Sequence, residues 1–234
     1  MIQMRTYHYL ARLLTRRRMS ADNDVRIIVD WSTAPLGTAP SSYVKPFRAK
    51  FKDTRDNVEK TWDFVEVHDA VSILVYHSED DAFMIVKQFR PAVYASSIRR
   101  NPSKAVAIED AFTYELCAGI MDKAHLDIAE TAREEIIEEL GFDVDASSIR
   151  KITSYHNSTG ISGAVTHLMY AEVRESNRVG PGGGIDSEHI EVLKVPVADA
   201  YDWMMDATRA RSAGLLFAFN WYLNVFRCQR SCPA

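Results

Sequence analysis

From residue 61 onward, apolar and polar positions follow short, readable periods. Residues 61–67 (TWDFVEV) alternate, which predicts a strand. Residues 71–76 (VSILVY) and 82–89 (AFMIVKQF) are rich in β-branched and aromatic side chains. Ser78-Glu79-Asp80-Asp81, a turn composition, separates them, so they predict a hairpin or meander. Residues 95–112 read as a long surface loop. Residues 114–118 (YELCA) predict a strand that stops at Gly119. The period then changes to that of a helix: Ile128, Ala132, Ile136 and Leu140 recur every fourth position as one buried stripe. Asp127 supplies the N-cap, Glu130 completes a capping box, and Gly141 supplies the C-terminal stop. Residues 149–155, 165–173 and 191–197 predict strands, and 177–184 (NRVGPGGG) a flexible loop. Residues 197–207 and 212–226 predict helices.

The start of the chain reads differently. Residues 1–23 form a basic tail. Residues 24–60 are mixed and polar, with Pro35, Pro40 and Pro46, and predict a small N-terminal β region ahead of a main domain at 61–228. Strands, one helix, strands and then helices predict an α/β fold around a mixed sheet.

Composition narrows the function classes. A hydrophobic share of 47% is too high for a largely disordered chain. No charge-free apolar run approaches the ~18 residues of a spanning helix, so no membrane partner is expected. Three cysteines make no disulfide framework and predict free thiols in a reducing compartment, the cytoplasm. Cys228 and Cys232 lack a second Cys/His pair and are not read as a metal site.

The net charge of −4 hides an asymmetry. The first 21 residues hold Arg5, Arg12, Arg16, Arg17 and Arg18 and no acid; the remainder carries 23 basic against 32 acidic residues. A body that acidic is a poor partner for nucleic acid and suits a protein that holds cations. The Arg-rich start resembles a mitochondrial transit peptide, the alternative to a cytoplasmic location.

The helix at 127–140 has a second, acidic face. Glu135, Glu138 and Glu139 stand at i, i+3 and i+4, with Glu134 beside them. Like charges at this spacing repel. The pattern is either a solvated face or a seat for a hard divalent cation, since Mg²⁺ takes carboxylate, phosphate and water oxygens.

Residues 119–142 (GIMDKAHLDIAETAREEIIEELGF) resemble the Nudix box, G-x5-E-x7-R-E-U-x-E-E-x-G-U with U apolar. Glu135, Ile136, Glu138, Glu139, Gly141 and Phe142 stand in its register. The N-terminal half is one residue longer. An insertion inside the helix would turn the carboxylates by ~100°, so the loop 120–126 is where the extra residue fits. Glu134, and not Arg133, then occupies the box's arginine position, and Leu126 the position of its first glutamate. Residues 86–94 (VKQFRPAVY), 115–119 (ELCAG), 180–184 (GPGGG) and 188–192 (EHIEV) extend the likeness. Together they resemble the UDP-sugar diphosphatase branch of the Nudix hydrolases, near the ADP-ribose pyrophosphatases, from about residue 61 to 226.

That resemblance implies an α/β/α Nudix sandwich with a mixed sheet. It implies Mg²⁺-dependent hydrolysis, with Mn²⁺ as a substitute, of a nucleotide sugar such as UDP-glucose to UMP and glucose 1-phosphate. The alternatives are cleavage of ADP-ribose to AMP and ribose 5-phosphate, and a domain that binds nucleotide without cleaving it. The implied metal ligands are Glu135, Glu138, Glu139 and the Ala118 carbonyl. The implied phosphate contact is Arg90, and the implied general base is Glu188, with Asp186 and Glu191 as alternatives. Glu138 is a second catalytic candidate, Glu115 a further site candidate, and Trp62 a candidate for stacking on the base. Glycines 182–184 would let the loop carrying Glu188 close over substrate. A homodimer is expected, in which the N-terminal β region reaches the partner's site.

Overall fold

The computed structural model describes residues 28–37 and 40–227. The readings of the basic tail and of Cys228 and Cys232 fall outside the described residues. Strands β1 (Lys45–Asp53) and β2 (Val58–Glu66) pair antiparallel as a two-stranded sheet of their own. Residues 61–66 therefore belong to this hairpin, and the N-terminal β region extends past residue 60.

The main sheet is mixed. Its strands are β3 (Ala70–His77), β4 (Ala82–Phe89), β5 (Phe112–Glu115), β6 (Cys117–Ile120), β7 (Arg150–His156), β8 (Val165–Val173), β9 (Glu191–Pro196) and β10 (Ala210–Arg211). The order is β10-β5-β4-β3-β8-β7, with β6 also on β3 and β9 also on β4. Pairs β3/β8 and β5/β10 are parallel and the others antiparallel. Helices α1 (Pro91–Arg100), α2 (Ile128–Glu135), α3 (Ala200–Met205) and α4 (Ala213–Trp221) complete the fold.

Strands β3 and β4 are apolar at nearly every position because both faces are covered. Val71, Ile73 and Val75 join Ala132, Ile136 and Leu140 of the α2 layer. Leu74 and Tyr76 join Leu215, Phe219 and Tyr222 of the α4 layer. The result is the expected α/β/α sandwich.

Helix α2 begins as its sequence dictates. The Asp127 carboxylate accepts from the Ala129 and Glu130 amides (both 2.8 Å), and the Glu130 carboxylate accepts from the Asp127 amide (2.9 Å). These are backbone donors a bare helix start leaves unpaired. The helical rod runs on to Leu140 but widens to π geometry over Ile136–Leu140, a departure seen often at functional sites. Gly141 ends it with φ 78°. The rod from α4 widens in the same way over Tyr222–Phe226.

Three expectations need correction. The segment 95–112 is not all loop: α1 occupies its first part, and Ile108–Ala111 forms a 3₁₀ turn. Helix α1 buries no residue fully and has no side-chain cap, so it shows no apolar stripe to read. Pro91 at its first position was the available signal. The strand at 114–118 is two strands, broken at Leu116. Strand β5 pairs with β4, and β6 pairs with β3 and runs through Gly119 to Ile120. Helix α3 also covers only part of 197–207.

Candidate active site

The fork between β5 and β6 puts the backbone of 117–119 beside the acidic face of the carboxylate helix. The Ala118 amide donates to Glu139 Oε2 at 3.0 Å, and the Cys117 thiol also hydrogen-bonds that carboxylate. Ala118 thus meets the site through its N–H, whereas the sequence expectation concerned its carbonyl. Gly119 is necessary here: a Cβ would lie 1.8 Å from Glu135 Oε1.

Glu139 is 4% exposed. Burial pushes its carboxyl up to about 8, against partial relief from the Ala118 and Cys117 donors, and the charges of Glu135 and Glu188 add to the rise. Glu135 is pushed up to about 7 by burial first, then by Glu138 and Glu188. Glu138 is half-buried, with Lys123 Nζ 3.9 Å from its Oε1; the same ammonium lies 2.5 Å from Glu134 Oε2. Among the described residues no three His, Cys, Asp or Glu side chains already stand as a ready ligand cluster. The donor set nonetheless fits a divalent cation: hard oxygen ligands, strained by mutual repulsion, with one carboxylate buried and short of donors.

Arg90 ends β4. Its Nε and Nη2 donate to the two Glu115 oxygens at 2.8 and 2.7 Å. Burial alone would raise the Glu115 carboxyl, but Arg90, with a hydrogen bond from the Thr113 hydroxyl, outweighs it and the net shift is downward. Two of the guanidinium's five N–H groups are used in this pair; the others are free to take phosphate oxygens. Arg90 and Glu115 edge a cleft of about 300 Å³ that also meets Ala118 and Gly119. The carboxylates of the helix do not line this cleft; they stand behind β6, and Gly119 is common to both.

The loop bearing Glu188 differs from expectation. Gly182, Gly183 and Gly184 all have positive φ (70°, 107° and 88°). They serve a docked backbone and not a free hinge. The Gly183 amide donates to the Glu139 carbonyl (2.9 Å) and the Gly184 amide to the Glu138 carbonyl (3.1 Å), satisfying acceptors at the helix end. A Cβ on Gly182 would meet that Glu139 oxygen at 2.4 Å. The Ile190 amide donates to the Gly183 carbonyl, closing a short loop over 184–189. Within it, the Ile185 amide donates to Glu188 Oε2 at 3.4 Å. Glu188 is close enough to act electrostatically on Glu135, Glu139 and Arg90.

Trp62 is not brought to the cleft. It sits on β2, 55% exposed, and its indole donates to the Gly160 carbonyl at 3.0 Å. Arg133, displaced from the box's arginine position, pairs with Asp143 (2.7 and 2.9 Å) on the outer surface. The bracing of the loop against the helix falls to Lys123 and Glu134. The sequence reading missed Lys123, although its sign opposite Glu134 was the signal. It also missed Tyr155, Asn157 and Thr166, which line the far end of the cleft; nothing in their spacing brings together residues that meet only across β7 and β8.

No family model matches the chain. A uridine diphosphate glucose pyrophosphatase of Bos taurus, NUDT14, is 34% identical over 203 residues, covering 80% of this chain and 90% of that protein. The chain belongs to the Nudix hydrolase family. The Mus musculus protein of the same name is 32% identical with the same coverage. A GDP-mannose pyrophosphatase of Salmonella arizonae is 34% identical over 140 residues, 58% of this chain and 66% of that one. The α/β/α layers around a mixed sheet are those that the family resemblance implies.

Proposed function

We propose that this Nudix hydrolase cleaves the pyrophosphate of a nucleoside diphosphate sugar, with UDP-glucose giving UMP and glucose 1-phosphate. One observation carries the reading: the half-buried carboxylate of Glu135 and the buried one of Glu139 abut Ala118–Gly119, whose other side opens on the Arg90 cleft. The names of the relatives support a nucleotide sugar as the class of substrate. Mg²⁺, or Mn²⁺, held by Glu135 and Glu139 with Glu138 at the margin, would supply charge neutralisation on the phosphate oxygens and a more acidic water.

The remaining work belongs to the chain's own groups. Glu115 holds Arg90 so that its unused N–H donors face the cleft and can grip a phosphate. Water adds to one phosphorus, the bridging P–O bond breaks, and Glu188 accepts the proton that the water loses. For this, the Glu188 carboxylate leaves the Ile185 amide. The β1–β2 hairpin presents Phe47, Phe51 and Trp62 on one half-exposed face, which suits a homodimer contact.

The test is phosphorus-product analysis over UDP-glucose, GDP-mannose and ADP-ribose, with and without chelator. The expected outcome is UMP and glucose 1-phosphate in Mg²⁺, a higher kcat/KM for UDP-glucose than for the others, and no turnover in chelator. Turnover in chelator, or hydrolysis of none of the three, would overturn the reading.

A further inference from the structure

Resting on the reaction just proposed, we infer that Tyr155, Asn157 and Thr166 form the subsite that reads the glycosyl group, and that it selects a neutral sugar. The cleft of about 300 Å³ lies at the lower end of the ~300–1,000 Å³ range of ligand sites, so it takes only part of a nucleotide sugar. Its near end is the Arg90–Glu115 pair with Ala118 and Gly119. Its far end is neutral: charge along the lining is confined to Arg90 and Glu115, which are paired with each other.

The far wall is built for hydroxyl groups. Tyr155 and Thr166 are register partners across β7 and β8, and Asn157 directly follows β7. Asn157 Nδ2 donates to Thr166 Oγ1 at 2.7 Å, which orients the amide. The Asn157 carbonyl oxygen and the Thr166 hydroxyl hydrogen are left without a protein partner among the described residues. The Tyr155 hydroxyl also has no hydrogen bond among them. It fits against the start of α4 because residue 214 is glycine; a Cβ there would lie 2.4 Å from the phenol oxygen. A phenol, an amide oxygen and a threonine hydroxyl offer mixed donors and acceptors, which suits the hydroxyls of a sugar ring. A base favours broad aromatic surface to stack on, and Tyr155 is the single aromatic side chain among the residues that line this cleft. A phosphate or carboxylate at the far end would find no cation.

The experiment measures kcat/KM for wild type, Tyr155→Phe and Asn157→Ala with UDP-glucose, UDP-galactose, UDP-glucuronate and ADP-glucose. Tyr155→Phe removes one oxygen and keeps the packing; melting curves check both variants. Each variant should lose about 3- to 10-fold on UDP-glucose, the range of one neutral hydrogen bond. ADP-glucose should lose the same factor, and discrimination between glucose and galactose should shrink. Wild type should disfavour UDP-glucuronate at least tenfold. A change in the UDP-to-ADP preference with the glucose-to-galactose ratio intact would assign the wall to the base and overturn the inference. Folded variants with unchanged rates would overturn it too, while leaving the reaction standing. Wild type inactive on all four substrates would overturn the reaction itself, and the subsite with it.

Discussion

Glu139→Gln separates the carboxylate's role in holding a cation from its effect on the fold. Glutamine keeps the length of the side chain and an oxygen for the Ala118 amide. It removes a charge that the metal-free fold resists. The folded carboxyl is raised from 4.5 to about 8, so its contribution to stability is complete below pH 4.5 and is lost as pH rises through 8. At ~1.4 kcal/mol per pH unit, keeping Glu139 ionised at pH 9 costs at most ~5 kcal/mol. Water near the cleft and relaxation of neighbouring charges bring this to on the order of 2 kcal/mol. For a domain of this size that is ~4–8 °C in Tm. In chelator, the wild-type Tm should therefore fall between pH 5.5 and pH 9 more steeply than that of the variant. The variant should melt higher by about that margin at pH 9, and by less than about a third of it at pH 5.5, one unit above the unfolded value. Added Mg²⁺ should reverse the order at pH 9, and the variant's turnover should fall by ~10²-fold or more, the scale of one lost electrostatic group. Scanning calorimetry at four pH values, with and without Mg²⁺, reads all of this. Parallel Tm–pH curves for the two proteins in chelator would refute the reasoning.

Two further outcomes follow from groups outside the helix whose charges act on its carboxylates. Glu188→Gln should lower kcat by about 10²–10⁴-fold, the span of a positioned general base, with the Mg²⁺ half-saturation point unchanged; a silent Glu188→Gln beside a severe Asp186→Asn or Glu191→Gln would move the base along the same loop. Lys123→Met removes the ammonium near Glu138 and Glu134, so Mn²⁺ binding followed by electron paramagnetic resonance should tighten about 2- to 5-fold, the modest scale of an exposed ion pair; weaker binding would mean that bracing the loop matters more than the added charge.

The parts of this molecule that were legible in the chain are those set by local spacing. The α2 cap, the apolar stripe through Ala132, Ile136 and Leu140, and the acidic face all follow from positions three and four residues apart. The double-sided burial of β3 and β4 shows as runs of apolar residues. Helix α1 was not legible because it buries nothing fully, and tertiary neighbours, not periodicity, hold it in place. The break at Leu116 was not legible because β5 and β6 are both short and β-like; only their different partners, β4 and β3, separate them. The far wall of the cleft was not legible because Tyr155 and Thr166 meet through strand register. Glycines 182–184 looked like a hinge, and the same three residues serve equally well where a backbone must pass within van der Waals reach of a helix end.

That last ambiguity bears on how the site is assembled. Backbone donors meet the carboxylate helix on two sides, in addition to its packed apolar stripe. On one side the Ala118 amide reaches the Glu139 carboxylate and Gly119 leaves room for Glu135. On the other, the Gly183 and Gly184 amides reach the carbonyls of Glu139 and Glu138. Backbone contacts of this kind constrain position tightly, because main-chain donors have no rotamers to search. The loop over 184–189 is thus anchored to the residues whose side chains would hold the cation. A movement of Glu188 is then confined to the short segment beyond Gly184, and it can occur without disturbing Glu135 or Glu139. An arrangement with the base on a fully free flap would not need positive φ at three successive residues, nor a backbone approach so close that a Cβ at position 182 would lie 2.4 Å from the Glu139 carbonyl oxygen.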